Sequence, residues 1–146
     1  MKYAIDVISA QDTALAVPAL QVLWPRYSAE EMRATIDEAL RPNGYNLVGI
    51  IPPGTDHAAC VLGYRTQHSL WLGKSFYIVD IATLAEWRNH GLADQMVNWS
   101  EAEARRLNCD AIHLDSGVGI DRSAAHRLYM RHHYRISCHH FSKQLR

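Results

Sequence analysis

The sequence predicts an α/β (α+β) single domain over residues 1–146, and three observations carry that reading. A strand-like apolar run breaks into a polar turn and restarts as a helix, shorter β-like and helical segments flank it, and no linker, repeat or low-complexity stretch divides the chain. The organising stretch is Phe76-Tyr-Ile-Val-Asp-Ile-Ala-Thr-Leu-Ala-Glu-Trp-Arg-Asn-His-Gly-Leu-Ala93. From Phe76 to Leu84 it is nearly continuous in apolar and β-branched residues, which suits a strand covered on both faces; Asp80 is the exception. From Leu92 the spacing turns helical, through Met96, Trp99 or Ser100, Ala104 and Leu107. A hydrophobic share of 48% in 146 residues is ample for one core.

The other elements follow in order. Tyr3–Ile8 is a short β-like segment, and Ser9-Ala-Gln-Asp12 caps the start of a helix through Leu15, Ala19, Leu20 and Leu23 that Pro18 delays or kinks. Ser28 with Glu30 and Glu31 marks a second helix, with Met32, Ile36 and Leu40 on one face and Pro42-Asn-Gly44 as its stop. Tyr45–Ile51 and Ala58–Thr66 form a hairpin around Pro52-Pro-Gly-Thr-Asp56, with Gly63 weakening the second strand or marking a bulge. Gln67–Lys74 reads as a looser link. The helix after Gly91 gains an i,i+4 pair, Glu101 with Arg105. Asp110–Asp115 is the next strand, Asp121 caps a helix through Ala125, Leu128 and Tyr129, and Tyr134–Leu145 supplies one or two closing strands. Exposed closing strands could pair two copies into a homodimer.

The junction Arg88-Asn-His-Gly91 has its own chemistry. A helix start presents backbone N–H groups without intrahelical partners, Gly91 permits close backbone approach, and Arg88 brings a planar cation suited to phosphate oxygens. It reads either as a pyrophosphate cradle or as an ordinary strand–turn–helix. Net charge is zero, with 15 basic and 15 acidic residues, so there is no electrostatic footprint for nucleic acid or an anionic membrane. Cys60, Cys109 and Cys138 form no CxxC pair, which suggests neither a disulfide framework nor a zinc site. His132-His133 and His139-His140 are adjacent pairs, whose members face opposite ways on a strand, so no metal is expected. There is no apolar stretch of bilayer length and no signal-peptide pattern, so the expectation is a soluble cytoplasmic protein with no membrane partner.

Arg88-Asn-His-Gly91-Leu-Ala93 resembles motif A of the GNAT acetyltransferases: Arg or Gln, two residues, Gly, one residue, then Gly or Ala. The resemblance extends upstream through Val79-Asp80-Ile-Ala-Thr83 and downstream through Ile112-His-Leu-Asp-Ser-Gly117 and Ala125-His-Arg-Leu-Tyr129. Ala85 stands where many members have Pro, and His132-His133-Tyr134 replaces the usual Gly-aromatic pair. The resemblance implies a mixed, mostly antiparallel central sheet flanked by helices and splayed at its two central strands. It further implies acetyl-CoA as cosubstrate, transferred directly to a primary amine on a small molecule or peptide. Arg88, Asn89, His90, Gly91, Leu92 and Ala93 would hold the pyrophosphate, Ile81, Ala82 and Thr83 the pantetheine arm, and Ser123 would add a further coenzyme contact. Tyr129 would protonate the leaving thiolate, and Trp24, Tyr27 and Met32 would face the acceptor.

Two residues carry the chemistry in this reading. Tyr129 is either that acid or a buried phenol anchored by its hydroxyl. Asp80 is either the base or a carboxylate held by a structural partner, since a charge in an apolar strand is costly without one or the other. Glu86, in the solvated turn, is the weaker alternative base. A different class of function, a non-catalytic acyl-CoA-binding or sensing domain, would keep the cradle and acetylate nothing. An acetylating toxin acting on charged transfer RNA is disfavoured by the neutral composition.

Overall fold

Five strands pair in chain order: β1 Asp6–Val7, β2 Asn46–Ile50, β3 Cys60–Ser69, β4 Gly73–Thr83 and β5 Ala111–Leu114. The first four are antiparallel to their neighbours, and β5 runs parallel to β4 after a helical crossover. The computed structural model describes residues 2–146, which fall into two compact units, Met1–Leu114 and Asp115–Arg146.

In the first unit the sheet separates two cores. On one face lie α1 (Val17–Leu23) and α2 (Ala29–Thr35), whose Leu20 and Met32 pack with Ile36, Ile8, Leu47, Val61 and Ala82. On the other lies α3 (Leu92–Arg106), with Leu92 and Met96 against Val48, Leu62, Phe76 and Ile78. Pro18 has the expected effect: Ala10–Ala16 is a tight 3-10 turn, and the α-helix starts beside the proline, where a missing N–H costs nothing. Ser28 and Glu31 form a reciprocal capping box at α2. The chain then runs through a π-helical turn, Ile36–Leu40, and stops at Gly44, whose φ is +92°.

Three expectations are corrected. Gln67–Lys74 is not a loose link: β3 continues to Ser69, β4 begins at Gly73, and a tight hairpin joins them, with Gly73 taking the positive φ of +68°. The pair on α3 is Glu103 with Arg106 rather than Glu101 with Arg105. No strand forms after β5 among the described residues; Tyr134 onward is irregular, and its apolar residues Ile136, Phe141 and Leu145 are exposed. Their loose alternation gives no continuous apolar face to bury, so the expected homodimer has no closing strands to pair through.

The feature that positions the site is in β4. Across β3 the register runs Gly63↔Asp80 and then Tyr64↔Ile78, leaving Val79 as the extra residue of a bulge. Before it, Phe76 and Ile78 face the α3 core; after it, Ile81 does so while Ala82 and Leu84 face the α1–α2 core. The bulge therefore reverses which face the even-numbered residues occupy. Pairing with β5 stops at Ile78↔Leu114, one residue before the bulge, whereas β4 runs on to Thr83. The expected opening therefore lies between β4 and β5, although β5 is the edge of this sheet rather than a central strand.

The second unit is built on α4 (Ser123–Arg131), which follows a short 3-10 turn, Ile120–Arg122. His126 ties α4 to its approach segment, its Nε2 lying 3.1 Å from Ser116 Oγ and 2.8 Å from the Gly117 carbonyl.

Candidate active site

Because of the bulge, Val79 and Asp80 both line a cavity of about 210 Å³ under α1 and α2. Asp80 is 8% exposed. Each of its oxygens accepts one hydrogen bond: Trp24 Nε1–H donates to Oδ1 at 2.7 Å, and the Tyr45 hydroxyl donates to Oδ2 at 2.8 Å. A carboxylate has about four lone-pair positions, so two remain. No basic side chain pairs with it among the described residues. The rest of the wall is apolar or aromatic, chiefly Leu20, Tyr27, Met32, Ile36 and Leu40, with the exposed Arg26 at its edge.

Asp80 is thus held by structural partners, as one of the two sequence readings expects, and it also lines a cavity. Trp24, Tyr27 and Met32 line that cavity together, and Glu86 lies outside it, exposed in the turn Ala85–Trp87. Tyr45 is a site residue that sequence reasoning missed. It sits 35 positions from Asp80, ahead of a different strand, and no spacing rule connects them. Burial first, and then the charge of Asp80, push its phenol well above the ordinary tyrosine value, so it stays a donor. Gly63 makes room for it: a Cβ there would lie 2.0 Å from the Tyr45 hydroxyl oxygen and 2.4 Å from ring carbon Cζ. Arg26 was also missed. Its guanidinium lies 4.9 Å from the centroid of the Tyr27 ring and donates to the Tyr27 hydroxyl.

The phosphate turn is exposed from Arg88 to Gly91. Asn89 has φ +62° and Gly91, the N-cap of α3, has φ +74°, so both occupy the left-handed region that Asn and Gly tolerate. A Cβ on Gly91 would meet nothing within 4 Å, so glycine is required here by backbone conformation rather than by crowding. No side chain caps the helix, leaving its first-turn N–H groups available. Leu92 is 2% exposed and anchors α3 in the core, so only its backbone N–H can serve a ligand. His90 Nδ1 donates to the Arg88 carbonyl at 2.8 Å, since a carbonyl can only accept. The Trp87 ring lies between His90 and Tyr3, at centroid distances of 5.3 and 6.2 Å, and braces the turn from behind.

Ile81, Ala82 and Thr83 form the end of β4 beyond its pairing with β5, where backbone groups on that edge have no ladder partner. Thr83 Oγ1 donates to Cys60 Sγ at 3.4 Å; burial pushes that thiol up to about 11. Ser123 and Tyr129 belong to the second unit. Ser123 opens α4, and its hydroxyl donates to the Ile120 carbonyl. Tyr129 is 7% exposed with its ring 5.9 Å from that of Tyr134, and burial raises its phenol against a lowering from Arg122. Among the described residues no three His, Cys, Asp or Glu side chains could hold a metal, and no helix is long and apolar enough to cross a membrane.

The first unit thus brings together an uncapped helix start, a β4 edge without a ladder partner and a carboxylate facing a cavity. The acetyltransferase (GNAT) family model matches residues 13–134, and the chain belongs to that family. Aminoalkylphosphonate N-acetyltransferase of Salmonella typhimurium is 30% identical over 82 residues, covering 56% of this chain and 50% of that protein. The chain thus spans about half the length of that curated relative. The aminoglycoside N-acetyltransferase AAC(6')-Iy, solved in complex with CoA, aligns with a TM-score of 0.80 at 14% identity, over 98% of this chain and 94% of that one. A GNAT acetyltransferase of Staphylococcus aureus aligns with a TM-score of 0.78 at 19% identity, over 99% and 100%. At such identities the match is one of fold.

Proposed function

We propose that residues 1–146 work as one acetyltransferase domain that transfers acetyl directly from acetyl-CoA to a primary amine. The observation that carries this is the buried Asp80, which turns toward an apolar cavity at the point where β4 leaves β5. The residues present fit the coenzyme. The space above Gly91 is open, the α3 terminus is uncapped, and the β4 edge past Ile78 offers backbone groups. Arg88 to Ala93 would hold the pyrophosphate, Leu92 through its N–H alone, Ile81 to Thr83 the pantetheine arm, and Ser123 a further contact.

Acetyl-CoA supplies an activated thioester. Asp80 takes a proton from the incoming ammonium at one of its two unused lone-pair positions, while Trp24 and Tyr45 fix the carboxylate's orientation. The C–N bond then forms, the C–S bond breaks, and the surplus proton on nitrogen and the one held by Asp80 both leave to solvent, restoring the carboxylate. Tyr129 gives its proton to the departing sulfur and is reprotonated from solvent; burial keeps that phenol protonated at neutral pH. Cys60 is no nucleophile in this scheme, because its thiol is held neutral by burial.

The test is release of CoA across a panel of amines. Asp80→Asn keeps the shape, and should lower turnover by roughly 10²–10⁴ while acetyl-CoA still raises the melting temperature. Stabilisation by acetyl-CoA with no turnover on any amine would replace this reading with a sensing domain. Absence of stabilisation at millimolar acetyl-CoA would remove both.

A further inference from the structure

The cavity carries information about the acceptor. Its deepest charge is Asp80, buried and paired only with the neutral donors Trp24 and Tyr45. A buried anion with spare lone pairs and no cation beside it is complementary to an ammonium. Beside Asp80 the wall is mostly apolar and aromatic, with Leu20, Tyr27, Met32, Ile36 and Leu40, and carries one neutral hydroxyl at Thr35. The only other charged residue on the lining is Arg26, held at the wall by its stacking on Tyr27 and its hydrogen bond to that ring's hydroxyl. No carboxylate pairs with Arg26 among the described residues, so its charge stands uncompensated there. The cavity's volume of about 210 Å³ lies below the roughly 300–1,000 Å³ of drug-sized ligand pockets, and it opens to solvent beside the exposed Trp24 and Arg26.

We propose that the acceptor is a compact monoamine with an apolar or aromatic body: Asp80 receives its ammonium, the wall receives its body, and Arg26 turns away a second cation. This rests on the transferase reading above. A diamine entering with one ammonium on Asp80 either keeps the other among Leu20, Met32 and Leu40 or brings it out past the exposed guanidinium of Arg26. Both are unfavourable, the first by loss of hydration and the second by repulsion. A monoamine of the same length meets neither obstacle. Other amines that carry a second ammonium within reach of Arg26 are disfavoured on the same ground.

The experiment compares pentan-1-amine with 1,5-diaminopentane, which share a chain length and differ by one ammonium. Each is measured with the full-length protein by kcat/KM from CoA release and by titration calorimetry in the presence of CoA. The expected result is a preference for the monoamine of at least about tenfold by both readouts. Arg26→Glu should shrink or invert that preference, and Asp80→Asn should weaken binding of both amines. Equal or better use of the diamine by the parent overturns the proposal, and so does a preference unchanged by Arg26→Glu. If no amine is turned over, the calorimetric preference still decides the matter: its presence supports the cavity's selectivity while the transferase reading fails, and its absence overturns the selectivity itself.

Discussion

Gly63→Ala tests the physical core of the site from a residue that does not itself line the cavity. The added Cβ would lie 2.0 Å from the Tyr45 hydroxyl oxygen, 2.4 Å from Cζ and 2.6 Å from Cε1. These belong to a ring that is 6% exposed and packed in the α1–α2 core, so the clash is not with the free end of a flexible chain. To reach ordinary contact the hydroxyl must retreat by more than an ångström, which carries its 2.8 Å bond to Asp80 beyond hydrogen-bonding distance. Overpacking of this kind costs about 1–3 kcal/mol, and a lost hydrogen bond to a charged group about 1.5–3, so a loss of about 2.5–6 kcal/mol is expected. Urea unfolding would show it as a lowered midpoint with unchanged slope.

A double-mutant cycle separates this cause from a general intolerance of side chains at position 63. Tyr45→Ala removes the ring, at about 3–5 kcal/mol for an aromatic core truncation. In that background Gly63→Ala should cost almost nothing or stabilise slightly, because alanine restricts the unfolded chain more than glycine does. Tyr45→Phe keeps the ring carbons but removes the hydroxyl, so in that background Gly63→Ala should keep only the overpacking cost of about 1–3 kcal/mol. A coupling of at least about 2 kcal/mol between Gly63→Ala and Tyr45→Ala is therefore expected. If the two changes add within about 0.5 kcal/mol, the packing of Tyr45 over Gly63 is not what the glycine is for.

At the phosphate turn, Gly91→Glu strains a backbone at φ +74° and places a carboxylate at the α3 terminus, so stabilisation by acetyl-CoA should vanish. Gly91→Asn, which tolerates that conformation, should retain it; undiminished affinity in a folded Gly91→Glu protein would move the cradle elsewhere. Tyr129→Phe keeps the ring and should bind acetyl-CoA normally while turnover falls by roughly 10²–10⁴, toward the lower end because thiolates leave easily. Activity within a factor of about three of the parent would make Tyr129 a packing residue. Stability should fall in alkali: above the ordinary tyrosine value of 10.0 the unfolded phenol of Tyr45 ionises while the folded one keeps its proton, so the folded state binds more protons and loses ground as pH rises. Tyr45→Phe should flatten that decline in denaturation profiles taken between about pH 9 and 11, and an unchanged slope would assign it to other groups.

Much of this architecture is legible in the sequence because local chemistry dictates it. Ser28 with Glu31, Pro18 and Gly44 set helix boundaries through bonds made within a few residues. The turn at Gly91 is legible for the same reason, since a helix start and a residue tolerant of positive φ suffice to define it. What escaped depends on register. Gly63, which the sequence marks as a possible bulge, is where the register shifts, but the extra residue Val79 sits in a run whose residues are all compatible with burial, so Asp80 could be recognised as anomalous without its partners being named. Tyr45 and Arg26 reach the site only once Gly63 is set opposite Asp80 and α1 is laid over β4. The tail failed differently: loose alternation in Tyr134–Leu145 suggests strands, but a strand also needs a ladder partner and a covered face, and the exposed Ile136, Phe141 and Leu145 have no such cover.

The single inserted residue in β4 links two properties of the site that otherwise look independent. Were the strand regular, Asp80 would continue the face of Phe76 and Ile78 and enter the α3 core among Leu92 and Met96, a buried charge with no donor to meet it. With Val79 bulged out, Asp80 turns to the α1–α2 side, where Trp24 and Tyr45 satisfy it and a cavity opens beside it. Bulges also increase local twist, and here the ladder to β5 ends at Ile78, immediately before the extra residue. The edge proposed to receive the pantetheine arm and the carboxylate proposed to receive the amine therefore share one cause. A change that repaired the bulge would be expected to close the first and misdirect the second together, which is why neither can be tuned through β4 without the other.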